Sequence, residues 1–290
     1  MFQGVYVATA TPFKEAGAKF DEAAYTAHVE RLVAAGVHGL VPAGTTGESP
    51  NLSDDEKRVM FQICVSAAAG RAKVVAGVGT NSTAKSVQSA KLAAEASVDG
   101  VLVVNPYYNK PTPSGLVAHF RAVADVGMPV MIYNIPGRTA VNASPATIAE
   151  AAQHENIVAV KEASGTIGAT VDIKQLAPDL DVLAGDDALF LTNLAVGGDG
   201  VVSVAANLAP ALMVALWDAW QAGDAIEARR LNYRLWPLFR ALFVETNPIP
   251  VKAGLHLQGH YQPDIRLPMT SATDATVAAI RKVLADPELL

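Results

Sequence analysis

The sequence predicts an α/β protein whose main part is a (β/α)8 barrel, or TIM barrel. Eight short runs rich in Val, Ile and Leu recur, with centres about 28 residues apart, the length that a strand, a crossover helix and two loops require. Continuous apolar runs are typical of parallel strands buried on both faces. An open doubly wound sheet usually carries G-x-G-x-x-G after its first strand, and none follows the first run here. The runs are GVYVATA (4–10), GLVPAG (39–44), KVVAGVG (73–79), GVLVVNP (100–106), PVMIYN (129–134), NIVAVKE (156–162), DVLAG (181–185) and GVVSV (200–204).

Helix signals separate the runs. Asp21 precedes an amphipathic stretch that ends at Gly36, and residues 53–56 have the S-x-x-E form of a capping box. Ser144 offers a capping hydroxyl, and Pro145 follows at the first helical position. Strands and helices therefore alternate, which is the order that a barrel of parallel strands requires.

The pattern changes after Gly223, where the apolar spacing is helical only. We predict a barrel over residues 1–223 and a helical region over residues 224–290 that packs on it. No linker or charge block separates the two, so they are expected to fold as one body. The predicted helices cover residues 224–243, 249–258 and 272–285.

The composition excludes several classes of protein. Hydrophobic residues make up 51% of the 290 residues, enough to bury a large core, which excludes a disordered chain. The net charge is −6, so no basic surface for nucleic acid is expected. Cys64 is the only cysteine and no targeting segment is evident, which together indicate the cytoplasm. The uncharged run 200–217 contains Asn207 and Pro210, so it predicts a strand and a helix rather than a membrane span.

Lys161 is the strongest candidate for chemistry. Reactive groups of such barrels lie where the strands end, and Lys161 is the only one of eleven lysines that closes an apolar strand there. Burial disfavours the ammonium form, and a free amine condenses with a carbonyl to give a Schiff base. The alternative is a lysine that caps the strand or pairs with Glu162.

Tyr133 ends the preceding strand. Neighbouring strands of a barrel are about 4.8 Å apart, so the Tyr133 phenol can reach the amine of Lys161 or a carbon bound to it. The phenol would serve as an acid and base. The alternative is an ordinary half-buried tyrosine.

Two loops offer groups that suit a carboxylate. Thr45 and Thr46 lie in G-T-T-G-E (44–48), where backbone N–H groups could bind an anion and the hydroxyls could relay protons. The alternative is that the glycines only satisfy the backbone geometry of a turn. Arg138 presents a planar guanidinium that matches a carboxylate, although most loop arginines are simply solvated.

No metal or other cofactor is expected. The six histidines show no clustered ligand spacing and none ends a strand. Asp186 and Asp187 could hold a hard cation, but a solvated or helix-capping pair is the favoured interpretation.

Several longer motifs resemble one known family. In these motifs the chain is similar to the pyruvate-dependent class I lyases of the dihydrodipicolinate synthase and N-acetylneuraminate lyase group, over nearly its whole length. Thr45, where sialic acid lyases typically have Ser, and the Gly-Arg-Thr after YNIP favour the synthases. The motifs are GTTGES (44–49), NPYYNKP (105–111), YNIPGRT (133–139), KEASG (161–165), AGDD (184–187), GGDGVVSVAAN (197–207) and FVETNPIPVK (243–252).

The resemblance implies a reaction and its partners. It implies condensation of pyruvate with L-aspartate 4-semialdehyde, in the biosynthesis of diaminopimelate and lysine, by an enzyme that self-associates as a homotetramer. The alternatives are a pyruvate-dependent aldolase acting on a 2-keto-3-deoxy sugar acid, and a catalytically silent binding protein on the same scaffold.

The resemblance also implies roles for seven residues. Lys161 would form the Schiff base, Tyr133 would shuttle protons, and Thr45 would form a relay with Tyr108 of a neighbouring subunit. Thr46 would bind pyruvate, and Arg138 would orient the semialdehyde. Val202 would line the site near the imine.

Feedback by lysine is predicted to be weak or absent. Lys85 stands where lysine-inhibited bacterial members usually carry a glutamate for the effector's ammonium group, and Asp54 and Lys57 replace histidines. A like charge should repel the effector.

Overall fold

Eight parallel strands close into a barrel, which confirms the predicted fold class. The computed structural model describes residues 1–287 and 289, so the last part of the predicted helical region, Glu288 and Leu290, lies outside the described residues. The strands in chain order are β1 (Gly4–Ala8), β2 (Phe13–Lys14), β3 (Lys19–Phe20), β4 (Gly39–Val41), β5 (Lys73–Gly77), β6 (Gly100–Val104), β7 (Val130–Asn134), β8 (Ile157–Glu162), β9 (Asp181–Ala184) and β10 (Gly200–Ser203).

The strands follow one another around the barrel in sequence order. From β4 to β10 each strand pairs with the next one along the chain, and β1 closes the ring between β10 and β4. Each of the eight predicted runs contains one of these strands. The short strands β2 and β3, which the sequence did not predict, form an antiparallel hairpin outside the barrel.

In the described part of the chain, twelve helices surround and extend the barrel. Helices α1 to α9 follow the barrel strands, and α10 to α12 form the predicted helical region. They are α1 (Glu22–Ala34), α2 (Asp54–Ala68), α3 (Thr83–Glu95), α4 (Pro113–Ala124), α5 (Pro136–Thr139), α6 (Pro145–Ala151), α7 (Ile167–Leu176), α8 (Phe190–Ala195), α9 (Pro210–Gln221), α10 (Ala225–Ala241), α11 (Ile249–Leu257) and α12 (Asp274–Leu284).

The predicted caps form as hydrogen bonds. The Asp21 carboxylate accepts from the N–H of Ala24 at the start of α1. Ser53 and Glu56 form both bonds of the capping box that begins α2. Ser144 caps α6, and a proline occupies the first turn of that helix. These local signals fix where the crossover helices begin.

Two hydrophobic clusters hold the barrel together. The larger cluster lies between the strands and the outer helices, and the smaller one fills the barrel interior. Phe2 and Tyr6 are buried in the interior, and Tyr133 and Val202 belong to the same cluster. The interior is therefore a packed core rather than a channel.

The C-terminal helices pack on the barrel. Helix α10 contacts α8 and α9, and α12 packs against α10 and α11. Contacts thus cross residue 223 directly, and a division of the chain there remains a prediction. No helix in the described part of the chain has the length and apolar character needed to cross a membrane.

Candidate active site

Lys161 lies on β8 with its side chain inside the barrel. The residue is only 5% exposed. Its register partner on β7 is Tyr133, and the Lys161 Nζ lies 4.1 Å from the centroid of the Tyr133 ring. The amine and the phenol that the sequence places on neighbouring strands are therefore in contact.

Glu162 does not pair with Lys161. Successive strand residues point to opposite faces, so the Glu162 carboxylate lies on the outer side of the barrel. It accepts from the Asn134 amide at 2.9 Å and from the Ser164 N–H at 2.6 Å. Among residues 1–287 and 289 none forms an ion pair with Lys161. The alternative of a Lys161–Glu162 pair is therefore wrong.

A cavity of about 560 Å³ opens beside Tyr133 at the carboxyl ends of the strands. Thr45, Tyr133 and Arg138 all line it. Val202 is fully buried in the barrel interior and does not belong to this lining. Lys161 itself is not among the described residues that line the cavity; its amine lies against the ring of Tyr133, which does line it. Three of the predicted residues, Thr45, Tyr133 and Arg138, therefore share one cavity, and the amine of Lys161 contacts the ring of one of them.

The segment 43–48, which we call the threonine loop, follows β4. Its first and last residues, Ala43 and Glu48, have left-handed φ angles of 53° and 56°. The Thr46 side chain is buried, and its hydroxyl accepts from the Asn247 amide at 3.0 Å. Thr45 is only partly buried and faces the cavity. The two threonines therefore have different surroundings.

Arg138 lies in α5, the short helix after β7. Its guanidinium lines the cavity and donates to the backbone carbonyl of Asn247 at 3.2 Å. Asn247 thus bridges Arg138 and Thr46. The sequence motifs did not predict a role for this asparagine. Its only signal was its place in the motif 243–252.

Tyr108 does not reach the cavity of its own chain. Tyr108 is 89% exposed. It lies in a loop, and its φ of 76° is unusual for a residue other than glycine. The neighbouring Tyr107 lines the cavity instead. Within one chain, the predicted relay from Thr45 therefore lacks Tyr108.

The cavity favours anions. Lys57, Lys85 and Arg138 line it, and among the described lining residues Glu48 is the only acid. The Glu48 carboxylate is bound to Lys252 at 2.6 Å, so it does not pair with the cations of the lining. Burial lowers the pKa of Lys57, and the charge of Asp54 opposes this effect. Substrates with carboxylate groups match this lining.

The two aspartates after β9 differ from each other. The Asp186 carboxylate caps the next turn by accepting from the Ala188 N–H, as predicted. Asp187 is buried rather than solvated and accepts from the N–H groups of Val204 and Ala205. Desolvation raises the pKa of Asp187 to about 6. It therefore serves to join the ends of β9 and β10.

The arrangement suits the chemistry of a keto acid. An amine inside a barrel can condense with a ketone, and a phenol in contact with it can move protons. A guanidinium and a turn of backbone N–H groups can hold carboxylates.

Comparisons with known proteins identify the family of the chain and agree with its fold. A curated relative from Rhodospirillum centenum, named 4-hydroxy-tetrahydrodipicolinate synthase, is 47% identical over all of both chains. One of the same name from Endomicrobium trichonymphae is 45% identical, again over the full length of both. The crystal structure of dihydrodipicolinate synthase from Thermotoga maritima superposes with a TM-score of 0.96 at 41% identity, covering 100% of each chain. The model of the dihydrodipicolinate synthetase family matches residues 1–286. The chain belongs to the dihydrodipicolinate synthetase family.

Proposed function

We propose that this protein condenses pyruvate with L-aspartate 4-semialdehyde to give 4-hydroxy-tetrahydrodipicolinate, a step in the biosynthesis of diaminopimelate and lysine. The contact between the Lys161 amine and the Tyr133 ring carries the proposal, because it joins a nucleophile to a proton carrier. The relatives described above carry the name of this synthase. Nothing in the site favours the sugar-acid aldolase or the silent binding protein.

The first stage forms a nucleophilic carbon on pyruvate. The neutral amine of Lys161 attacks the ketone carbon, and loss of water leaves a protonated imine on that carbon. The positive nitrogen draws electrons from the adjacent methyl group, which loses a proton and becomes an enamine. Tyr133 carries the protons of these steps, and a positioned acid or base accelerates such transfers by roughly 10² to 10⁴.

The second stage joins the two substrates and frees the lysine. The enamine carbon attacks the aldehyde carbon of the semialdehyde, and the aldehyde oxygen takes up a proton to become a hydroxyl group. The amine of the same substrate then attacks the imine carbon. The bond from this carbon to Lys161 breaks as the ring closes, and the lysine is again a free amine.

The loops around the cavity would hold the two carboxylates. The backbone of Thr45 and Thr46 would bind pyruvate, and the guanidinium of Arg138 would orient the semialdehyde. Val202 would pack near the imine from inside the barrel. Charge in the cavity supports these roles, because the cations Lys57, Lys85 and Arg138 of its lining attract carboxylates.

We also propose that the active enzyme is a homotetramer in the cytoplasm. The high exposure of Tyr108 supports a role in the site of a neighbouring subunit, where it would complete the relay with Thr45. The single cysteine, Cys64, is buried and free, which fits a reducing compartment.

Reductive trapping tests the proposal. We expect sodium borohydride with pyruvate to attach one pyruvate-derived group per chain, and mass mapping to place it on Lys161. Lys161→Ala should lose both the label and turnover, whereas Lys91→Ala, at an exposed position on α3, should keep both. A label on another lysine, or wild-type turnover in Lys161→Ala, would contradict the proposal.

A further inference from the structure

A buried ion pair beside the threonine loop has no part in the mechanism above. Glu48 closes this loop, and one of its carboxylate oxygens accepts from the Lys252 ammonium on α11 at 2.6 Å. Both side chains are 1% exposed. The other oxygen accepts from the backbone N–H of Arg266 at 3.1 Å. Two C-terminal segments thus bind one carboxylate of the loop.

The two cationic residues at Glu48, Lys252 and Arg266, have further contacts of their own. The Lys252 Nζ lies 4.5 Å from the centroid of the Phe13 ring, and the Arg266 guanidinium carbon lies 4.1 Å from the same centroid. The guanidinium donates to both carboxylate oxygens of Glu56, at 2.6 and 2.9 Å. The ammonium and the guanidinium therefore have little freedom to move.

Stability alone does not explain this pair. Removing two charges from water costs about as much as their attraction returns, so apolar side chains of similar size would serve equally well. The remaining explanation is that the pair holds the backbone of the threonine loop in place. The loop needs such support. Ala43 and Glu48 have the left-handed backbone described above, which persists in residues other than glycine only where the surroundings hold it.

The pair is connected directly to Thr45. The backbone N–H of Glu48 donates to the Thr45 carbonyl at 3.1 Å. The segment before α11 also contacts the loop, because the Asn247 amide donates to the Thr46 hydroxyl. A displacement of Glu48 would therefore turn the loop and move the Thr45 hydroxyl in the cavity.

We propose that Glu48 and Lys252 are positioning residues, and that their ion pair holds the threonine loop so that Thr45 is oriented for the proton relay. This inference rests on the proposed function. It makes the C-terminal helices part of the catalytic apparatus, although they act through the loop rather than on the substrate.

The test compares turnover with imine formation. Lys252→Met leaves the Glu48 carboxylate without its ammonium partner. The double variant Glu48→Gln with Lys252→Met is neutral, and its glutamine carbonyl can still accept from the Arg266 N–H. Borohydride trapping with pyruvate counts the sites that form an imine, and kcat is divided by this number. This ratio cannot fall merely because some molecules are unfolded.

We expect kcat per imine-forming site to fall roughly 10- to 100-fold in both variants, since a small misplacement of a catalytic group has effects of this size. The KM for pyruvate should change less. As a matched control, Lys19→Met removes an exposed pair with Glu15, of 2.9 Å, and should leave the ratio unchanged.

Two results separate this inference from the proposed function. If both variants keep the wild-type ratio, or if the double variant regains it, the pair has only a structural role and the inference is wrong. If the wild-type protein itself forms no imine with pyruvate, the proposed function fails first.

Discussion

At the residue scale, His28 shows how burial fixes a protonation state. The side chain is buried on α1, where the Arg31 guanidinium donates to Nδ1 at 3.2 Å. Because a guanidinium can only donate, Nδ1 accepts, and the proton is on Nε2, which donates to Asn207 at 3.0 Å. Burial lowers the pKa of His28 from 6.5 to about 3, so the folded protein keeps the ring neutral.

This neutral histidine predicts a loss of stability in acid. Between pH 6.5 and about 3 the unfolded chain binds the proton and the folded chain does not. The free energy of unfolding should therefore decrease as the pH falls through this range, with a slope from His28 approaching about 1.4 kcal/mol per pH unit. Urea unfolding at several pH values should show this slope in wild type relative to His28→Gln. Parallel curves for the two proteins would contradict the assignment.

Lys85 allows a prediction about lysine as an inhibitor. Lys57 and Lys85 line the cavity together with Asn81 and Tyr107. Their positive charges should repel the ammonium group of an added lysine, so we expect little inhibition at millimolar concentrations. Lys85→Glu should increase the sensitivity, and Lys91→Glu on the same helix should not. Micromolar inhibition of the wild-type protein would show that the prediction is wrong.

At the scale of the elements, the end of β9 leaves room for Lys161. A Cβ atom on Gly185 would lie 3.0 Å from the Lys161 Cε and 2.6 Å from the Ala163 Cβ. Gly185→Ala should therefore displace the amine and lower both imine trapping and turnover, the latter by about 10-fold or more. An unchanged rate of trapping would contradict this account.

Gly168→Ala provides the matched control for this substitution. Gly168 lies in α7, where an added Cβ would make an ordinary contact of 3.9 Å with Thr166. Activity should stay at the wild-type level. The free energy of unfolding should increase by roughly 0.5 to 1 kcal/mol, because alanine loses less backbone freedom than glycine in a helix.

The barrel elements could be predicted because their signals are local. Each strand is an apolar run, and caps such as Asp21 and Ser53 lie within one turn of the helix they begin. The contact of Lys161 with Tyr133 was predictable too, since consecutive strands of a parallel barrel are neighbours. The hairpin of β2 and β3 was missed because strands of two residues show no periodicity.

The rest of the site depends on contacts between distant parts of the chain. Glu48 and Lys252 are separated by 204 residues, and Asn247 and Thr46 by 201. No spacing rule relates such positions, because the path of the C-terminal helices over the barrel decides which loop they reach. Sequence reasoning named candidate reacting groups and missed the residues that contact their loops.

At the scale of the whole molecule, Tyr108 predicts that neighbouring subunits share their active sites. We expect Tyr108→Phe and Lys161→Ala to have low activity when each is purified alone. When the two are unfolded together and refolded, sites that combine Lys161 of one chain with Tyr108 of another should recover activity, up to about a quarter of the sites.

The matched control for the mixing experiment pairs two changes in one chain. The double variant Tyr108→Phe with Lys161→Ala, refolded with wild type, can only dilute the wild-type activity. If mixing the two single variants restores nothing while the wild type survives the same treatment, Tyr108 does not act across the subunit boundary.

Closure of the barrel has a consequence for aggregation. A strand at the border of an open sheet leaves N–H and C=O groups free to recruit strands of other molecules. Here β1 pairs on both sides, with β10 and β4, so the ring has no border strand. In the part of the chain described, only the two-residue strands of the hairpin offer such a border, and they are too short to template a fibre. Association of copies must therefore proceed through helices and loops, which favours discrete assemblies over amyloid.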